Sequence, residues 1–240
     1  MTIIPAKPLP LQGALNVRDL GGYTAEGGQI TCSHRFLRAA ALSGLTEEDK
    51  KELTRYGVRA VFDLRSVYEA EENPDPALDG AAYYPFPLLD RMNSAQKGDE
   101  MPGSMGEVYV GLLKNDGETF AALLRKMLEV DGCVLFHCSA GKDRTGVTAM
   151  LLLGAAGASR ETILRDYEVT EEYLAPMLNK ILPMMQEKGV PLYMLLSKRE
   201  NMEMALDWID ENAGSIPGYL RQIGLRDDEI SALAERLLRP

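Results

Sequence analysis

The chain is poor in sulfur and in imidazole. Its 240 residues hold three cysteines, Cys32, Cys133 and Cys138, and two histidines, His34 and His137. Three thiols are an odd number and too few for a disulfide framework. There is no Cys-x-x-Cys pair for structural zinc, and two isolated histidines do not make a histidine-rich metal centre. Metal hydrolases therefore fall away, and neither a metal nor a cofactor is expected. Positive charge is also scarce. Lysine and arginine number 26 against 36 acidic residues, a formal net charge of −10 with no basic tail or stripe. Such a body repels a duplex, so nucleic acid is not an expected partner, and no stable membrane insertion is expected either. A local anion pocket stays open, because a pocket can be positive on an acidic body. Long apolar runs are missing too: the longest, AMLLLGAAGA at 149–158, is too short to span a bilayer. The opening MTIIPAKPLP lacks the basic and apolar regions of a signal peptide, which sets the expectation of a cytoplasmic protein, export by a non-standard route staying open.

What is present is ordinary core material, 45% hydrophobic, enough for one domain over residues 1–240. Residues 1–13 carry three prolines and read as an extended lead-in. Two short strands are read within 27–40, and others at 58–66, 81–89 and 133–137. Helices are read at 45–57, 105–114, 118–129, 144–156, 160–173, 175–187, 199–212 and 227–238. Thr46 with Asp49 makes a capping-box start for the first of these, and Gly57 closes it. LNVRDLGGY (15–23) reads as a polar loop and 90–104 as a mobile surface loop. Strands alternating with helices predict an α/β fold with a mostly parallel central sheet flanked by helices. The all-helical C-terminal third packs on the sheet or covers a site.

The stretch VLFHCSAGKDRTGV (134–147) departs from this pattern. A β-branched and aromatic run stops at His137 and Cys138, and a helix begins near Arg144. Successive N–H groups of a tight strand-to-helix loop form an anion nest, and the helix N-terminus adds partial positive charge. Gly141 lets the backbone approach a phosphate, and the planar fork of Arg144 grips two of its oxygens. Cys138 is expected at the floor of that nest, where the N–H groups and Arg144 favour thiolate over thiol. A sulfur facing bound phosphorus is a nucleophile for a covalent phosphoryl intermediate. A plain buried cysteine on a strand accounts for Cys133, and for Cys32, but not for the residues gathered around Cys138. AGKDRTG is no Walker loop, since Lys142 is followed by Asp143. Cys133 and Cys138 are no redox pair: they lie roughly 16 Å apart in an extended strand.

These residues resemble the cysteine-based protein tyrosine phosphatase superfamily, whose signature is His-Cys-x5-Arg-Ser/Thr. More narrowly, they are similar to the bacterial atypical tyrosine/phosphoinositide phosphatases. That group combines the HC-x-x-GKDRTG loop with an early N-x-R-D-x-GG loop and a DLRS strand end, here His137–Gly146, Asn16–Gly22 and Asp63–Ser66. The resemblance implies a phosphatase α/β fold with a helical lid, which 171–212 can supply. It implies Cys138 as nucleophile and Arg144 as phosphate clamp. Ser139, Ala140, Gly141, Lys142, Asp143 and Thr145 form the substrate-binding loop, Thr145 also assisting thiolate departure. His137 holds the loop. The general acid is Asp63, which ends a strand, with Asp90 and Asp116 as alternatives; the lone Trp208 lacks the Trp-Pro-Asp context of classical members. Arg18 and Asp19 are expected as an ion pair beneath the loop, with Asp166 and Tyr167 packing or capping. The implied partner is a phosphotyrosine protein, phosphoserine and phosphothreonine included, or a phosphoinositide. Lys142 is read as meeting a ring phosphate, although lipid phosphatases similar to tensin carry a second lysine where this chain has Ser139. A non-catalytic phosphate-binding module and a thiol-based arsenate or sulfur oxidoreductase are the alternatives, the latter needing a second thiol near Cys138.

Overall fold

Side-chain alternation along residues 133–137 sets the layering. Cys133 and Leu135 join one apolar cluster and Val134 and Phe136 the other, and all are buried. A strand apolar on both faces belongs in the middle of a parallel sheet. In the computed structural model, which describes residues 7–88 and 102–239, this strand, β5 (Cys133–His137), is central in a five-stranded sheet. The others are β1 (Arg18–Asp19), β2 (Phe36–Ala39), β3 (Val58–Asp63) and β4 (Ala82–Pro85), in the order β1-β2-β5-β3-β4. Only β1 runs antiparallel to its neighbour. Ala39, His137 and Asp63 are in register, so three strands end side by side at one edge. Sites in parallel sheets form outside such carboxyl ends.

Helix α1 (Glu47–Tyr56) covers the smaller face, with Leu53 packed among Val17, Leu37, Val58, Val61, Cys133 and Leu135. Its start is the expected capping box of Thr46 and Asp49, and Gly57 closes it at φ 94°. The other face carries α3 (Met105–Asn115), α4 (Gly117–Leu128), α5 (Asp143–Ala155) and α6 (Arg160–Glu168). With them pack α8 (Arg199–Ala213), α9 (Ile216–Gln222) and α10 (Asp227–Leu238). Helix α5 is buried from Thr145 to Ala155, as expected of a helix enclosed by others. No helix among the described residues is long and apolar enough to cross a membrane.

Several boundaries differ from expectation for local reasons. Within 27–40 there is one strand, β2, and Ile30 makes only an isolated bridge to Thr24. The polar stretch 15–23 contains β1, whose two residues are too few to show alternation. Helix α2 (Val67–Glu72) was not foreseen; it starts directly after β3 with a capping box of Ser66 and Glu69. Of the stretch expected to form a lid, α8 buries Met202, Ala205, Leu206 and Ile209 in the core. Helix α7 (Thr170–Glu187) buries only Thr170, Leu174 and Leu178. Asp90 and most of the loop expected at 90–104 lie outside the described residues.

The α1 cap provides a test of the fold remote from the loop at 138–142. Thr46→Ala removes the hydroxyl that accepts from Asp49 N–H at 3.2 Å. Urea unfolding is expected to show a loss of about 1 kcal/mol with anion binding unchanged. An unchanged midpoint would show that the cap contributes nothing.

Candidate active site

The loop from Cys138 to Lys142 leaves the sheet edge at β5 and enters α5. Its carbonyls are turned into the protein. Gly141 O accepts from Asn16 Nδ2 at 2.9 Å and from Arg38 Nη2 at 2.7 Å. Ser139 O accepts from Ala41 N–H at 3.1 Å, and His137 O from Leu64 N–H at 2.8 Å. Gly141 has φ +64°, and a Cβ there would meet Ala39 O at 2.3 Å, so glycine is required. With the carbonyls drawn back, none of the backbone N–H groups from Ser139 to Lys142 has a protein acceptor among the described residues. This is the geometry of an anion nest.

Cys138 lies at the start of the loop, 1% exposed. Thr145 Oγ1 is buried on the first turn of α5 with no hydrogen-bond partner among the described residues. Arg144 is held by a residue that the sequence reading missed. Glu69 on α2 receives Arg144 Nη1 at 2.6 Å and Nη2 at 2.8 Å, and Ser139 Oγ donates to it at 2.5 Å. Burial works against the Glu69 anion, but the Arg144 fork, Ser139 and Ser66 N–H hold its carboxyl well below the usual range. The guanidinium is thereby fixed in advance, its Nε–H making no hydrogen bond among the described residues. The S-x-x-E pattern of Ser66–Glu69 was the available signal.

Asp63 does not stand where a proton donor would. It is 1% exposed, and Arg65 binds it through Nε at 2.9 Å and Nη2 at 2.6 Å, while Tyr83 donates at 2.7 Å. Burial raises its pKa, but these donors and His137 outweigh it and hold the carboxyl below its ordinary value. With its oxygens taken by Arg65 and Tyr83, Asp63 faces these donors and not the loop N–H groups, which does not favour the expected role of acid. Asp116 precedes α4 as its N-cap, away from the loop. His137 Nδ1 lies 3.4 Å from Cys138 O, and Nε2 is 2.9 Å from Asp75 Oδ2 and 3.8 Å from Asp63 Oδ1. The Nε2 approach is close but not aligned as a hydrogen bond. Arg65 Nη2 bridges Asp63 and Asp75 at 2.6 and 2.7 Å, so a cation already sits between the carboxylates that, among the described residues, could join His137 in holding a metal.

Two other loop residues are engaged. Lys142, expected to reach for a ring phosphate, is 2% exposed and donates to Met194 O at 2.6 Å. Its ammonium is therefore committed to the segment between α7 and α8. Asp143, the first residue of α5, is 22% exposed and accepts from Tyr109 OH at 2.5 Å. Cys32 and Cys133 lie at the amino ends of β2 and β5, the opposite edge from Cys138, so no resolving thiol is near it.

Beneath the loop lies a buried charge network. Asp166 on α6 binds Arg18 Nε at 3.0 Å and also Arg38 Nη1, and Tyr23 OH donates to it at 2.8 Å. Arg18 continues to Thr170 Oγ1 at 3.0 Å and to Asn16 Oδ1. The expected Arg18–Asp19 pair does not form. Asp19 instead accepts from the N–H groups of Gly21 and His34 and from Tyr56 OH. Burial disfavours the Asp166 anion, but the two guanidinium groups overcome it and bring its pKa down to about 2.

Comparison with known proteins agrees with this arrangement. A family profile described as the tyrosine phosphatase family matches residues 9–239. A tyrosine-protein phosphatase of Nostoc commune is 31% identical over 220 residues, covering 84% of this chain and 74% of its own. The triple specificity protein phosphatase PtpB of Mycobacterium tuberculosis is 28% identical over 274 residues, covering 95% and 98%.

Asp166→Asn would leave two buried guanidiniums without their carboxylate, a loss of about 3–5 kcal/mol at neutral pH. Because the folded pKa lies below the ordinary 3.8, the ionised carboxylate stabilises the fold above that value. The contribution, about 2 kcal/mol, is lost as pH falls from 4 through 2. Denaturant titrations across pH are expected to show a lower, flatter acid limb for the variant. A parallel acid limb would show that Asp166 does not couple to folding.

Proposed function

The chain belongs to the tyrosine phosphatase family, and from that premise we propose that it hydrolyses phosphotyrosine through a cysteinyl-phosphate on Cys138. The observation that carries this reading is the loop whose carbonyls are pinned away from Cys138 and whose N–H groups are left without protein acceptors. The dianion is held by those N–H groups and by the Nε edge of Arg144, which Glu69 has already oriented. The Cys138 thiolate attacks phosphorus, the S–P bond forms, and the P–O bond to tyrosine breaks. The departing oxygen takes a proton from Asp143, the partly exposed carboxylic acid on the loop. Water then attacks the phosphocysteine and returns its proton to Asp143, while Thr145 Oγ–H stabilises the thiolate that leaves.

Asp143 replaces Asp63 in this scheme on geometric grounds. Asp63 and Glu69 are each locked by an arginine fork, whereas Asp143 meets the Tyr109 hydroxyl and the Lys142 ammonium, 3.4 Å away, both at Oδ1, and no arginine fork holds it. The substrate reading favours phosphotyrosine over phosphoinositides, because the Lys142 ammonium is turned to backbone carbonyls instead of to a ring phosphate. Retention of Cys138, Arg144 and Thr145 favours an enzyme over a phosphate-binding module. The distance of Cys32 and Cys133 from the loop disfavours a thiol oxidoreductase.

Cys138→Ser is expected to lower turnover by about 10³-fold or more while vanadate still binds, since the nest and Arg144 survive. Substantial hydrolysis by the serine variant would refute the cysteinyl-phosphate. Asp143→Asn is expected to slow phosphotyrosine-peptide hydrolysis by about 10²-fold and p-nitrophenyl phosphate hydrolysis by much less, because nitrophenolate leaves without a proton. Equal losses would remove Asp143 from the role of acid.

A further inference from the structure

Behind Asp143 runs a line of buried hydroxyls that the chemistry above does not use. Tyr109 on α3 donates to Asp143 Oδ1 at 2.5 Å, and its oxygen lies 2.7 Å from that of Tyr167 on α6. The two rings meet edge to face, with centroids 5.8 Å apart and planes at 84°. Tyr109 is 0% and Tyr167 1% exposed. Burial, with the Asp143 charge beside them, pushes both phenols above their ordinary range, so both stay neutral. Each therefore has one proton. Tyr109 spends its own on a carboxylate, which only accepts, so Tyr167 must donate to Tyr109. The Asn201 side chain on α8 acts on Tyr167 in the sense that favours its phenolate. Asn201 Oδ1 is itself fixed by Gly106 N–H at 3.3 Å. With Asp143 ionised, the direction of both phenol bonds is set.

We propose that Tyr109, backed by Tyr167 and Asn201, is a positioning residue that commits Asp143 Oδ1 as an acceptor and leaves Oδ2 to load and deliver the proton. This inference rests on the reading of Asp143 as the acid. The charged and titratable groups facing Asp143 are Lys142, with Nζ 3.4 Å from Oδ1, the neighbouring Arg144, and the two phenols. Of these, the Tyr109 hydroxyl is the donor whose removal changes no net charge. A donor to a carboxylate favours its ionised form. Losing it raises the pKa of the acid, which then keeps its proton to higher pH. A general acid works only while protonated, so the alkaline limb of the rate profile moves upward.

The test is the pH dependence of kcat/KM with a phosphotyrosine peptide and with p-nitrophenyl phosphate, for the full chain and for Tyr109→Phe. The alkaline limb for the peptide is expected to rise by about one pH unit in Tyr109→Phe. The peptide rate at the optimum is expected to fall about tenfold, with the nitrophenyl rate nearly kept. Tyr167→Phe, which leaves the Tyr109–Asp143 bond in place, is expected to move the limb the same way by less. It also serves if Tyr109→Phe fails to fold by circular dichroism. A variant that melts earlier but keeps its limb in place would overturn the proposal, since a purely structural role predicts that pattern. Asp143→Asn separates the two levels. Unequal losses there with an unmoved limb in both tyrosine variants would defeat the positioning role alone, and equal losses would defeat the acid and the positioning role together.

Discussion

The carbonyl of Gly141 is the point on which the site depends. Two donors far away in sequence, Asn16 and Arg38, draw it inward, and the loop can obey only because residue 141 has a positive φ and no Cβ. A peptide plane is rigid, so turning a carbonyl one way turns the N–H on its other end the opposite way. Pinning three carbonyls of the loop and its approach therefore aims a set of N–H groups at one point without any side chain reaching that point. The strand register puts Cys138 at the same place, since β2, β5 and β3 end together.

Arg38 can do this only because it is itself held. It shares Asp166 with Arg18, and Arg18 holds Asn16, the other donor to the Gly141 carbonyl. The support is thus a closed circuit of loop, Asn16, Arg18, Asp166 and Arg38. Breaking a buried pair on one side leaves an uncompensated charge, which costs more than the pair contributes when intact. That asymmetry makes the circuit a stiff support. Glu69 plays the same part for Arg144 from the opposite side, with its own position set by the α2 capping box.

How much of this was legible in the sequence follows from how far apart the partners lie. Cys138, Gly141, Arg144 and Thr145 fall within eight consecutive residues, so their sharing one strand-to-helix junction could be read directly. The helices at 105–115, 117–128 and 227–238 were read within a residue or two, because each carries one buried stripe. Asp63, a carboxylate at a strand end, looks available in the sequence until Arg65, two residues on, is seen to fold back on it. Arg18 was paired with its neighbour Asp19 on proximity, whereas its partner is Asp166, 148 positions away. Glu69 was invisible as a clamp holder because α2 is a single short helix, and nothing local says which arginine it meets. Lys142 had a reasonable use in the loop, and only the fold of 192–196 shows that its ammonium is taken.

The charge distribution explains how a chain of net charge −10 can bind a dianion. Its excess carboxylates lie mostly on solvated helix faces, such as Glu47 and Glu48 on α1 or Asp227 and Asp228 on α10. Water and salt screen charges of that kind within about 8–10 Å. Around the loop stand buried and half-buried charges of both signs, with Arg18, Arg38, Lys142 and Arg144 beside Asp166, Asp143 and Glu69. All four cations are largely shielded from solvent, so their field reaches the nest with little loss. In the proposed reaction Asp143 must carry a proton when substrate binds, which removes one of the three negative charges and strengthens the pull on phosphate. Once that proton has left with the tyrosine, the carboxylate returns. It then opposes the phosphate that remains, and so favours its transfer to water and its release.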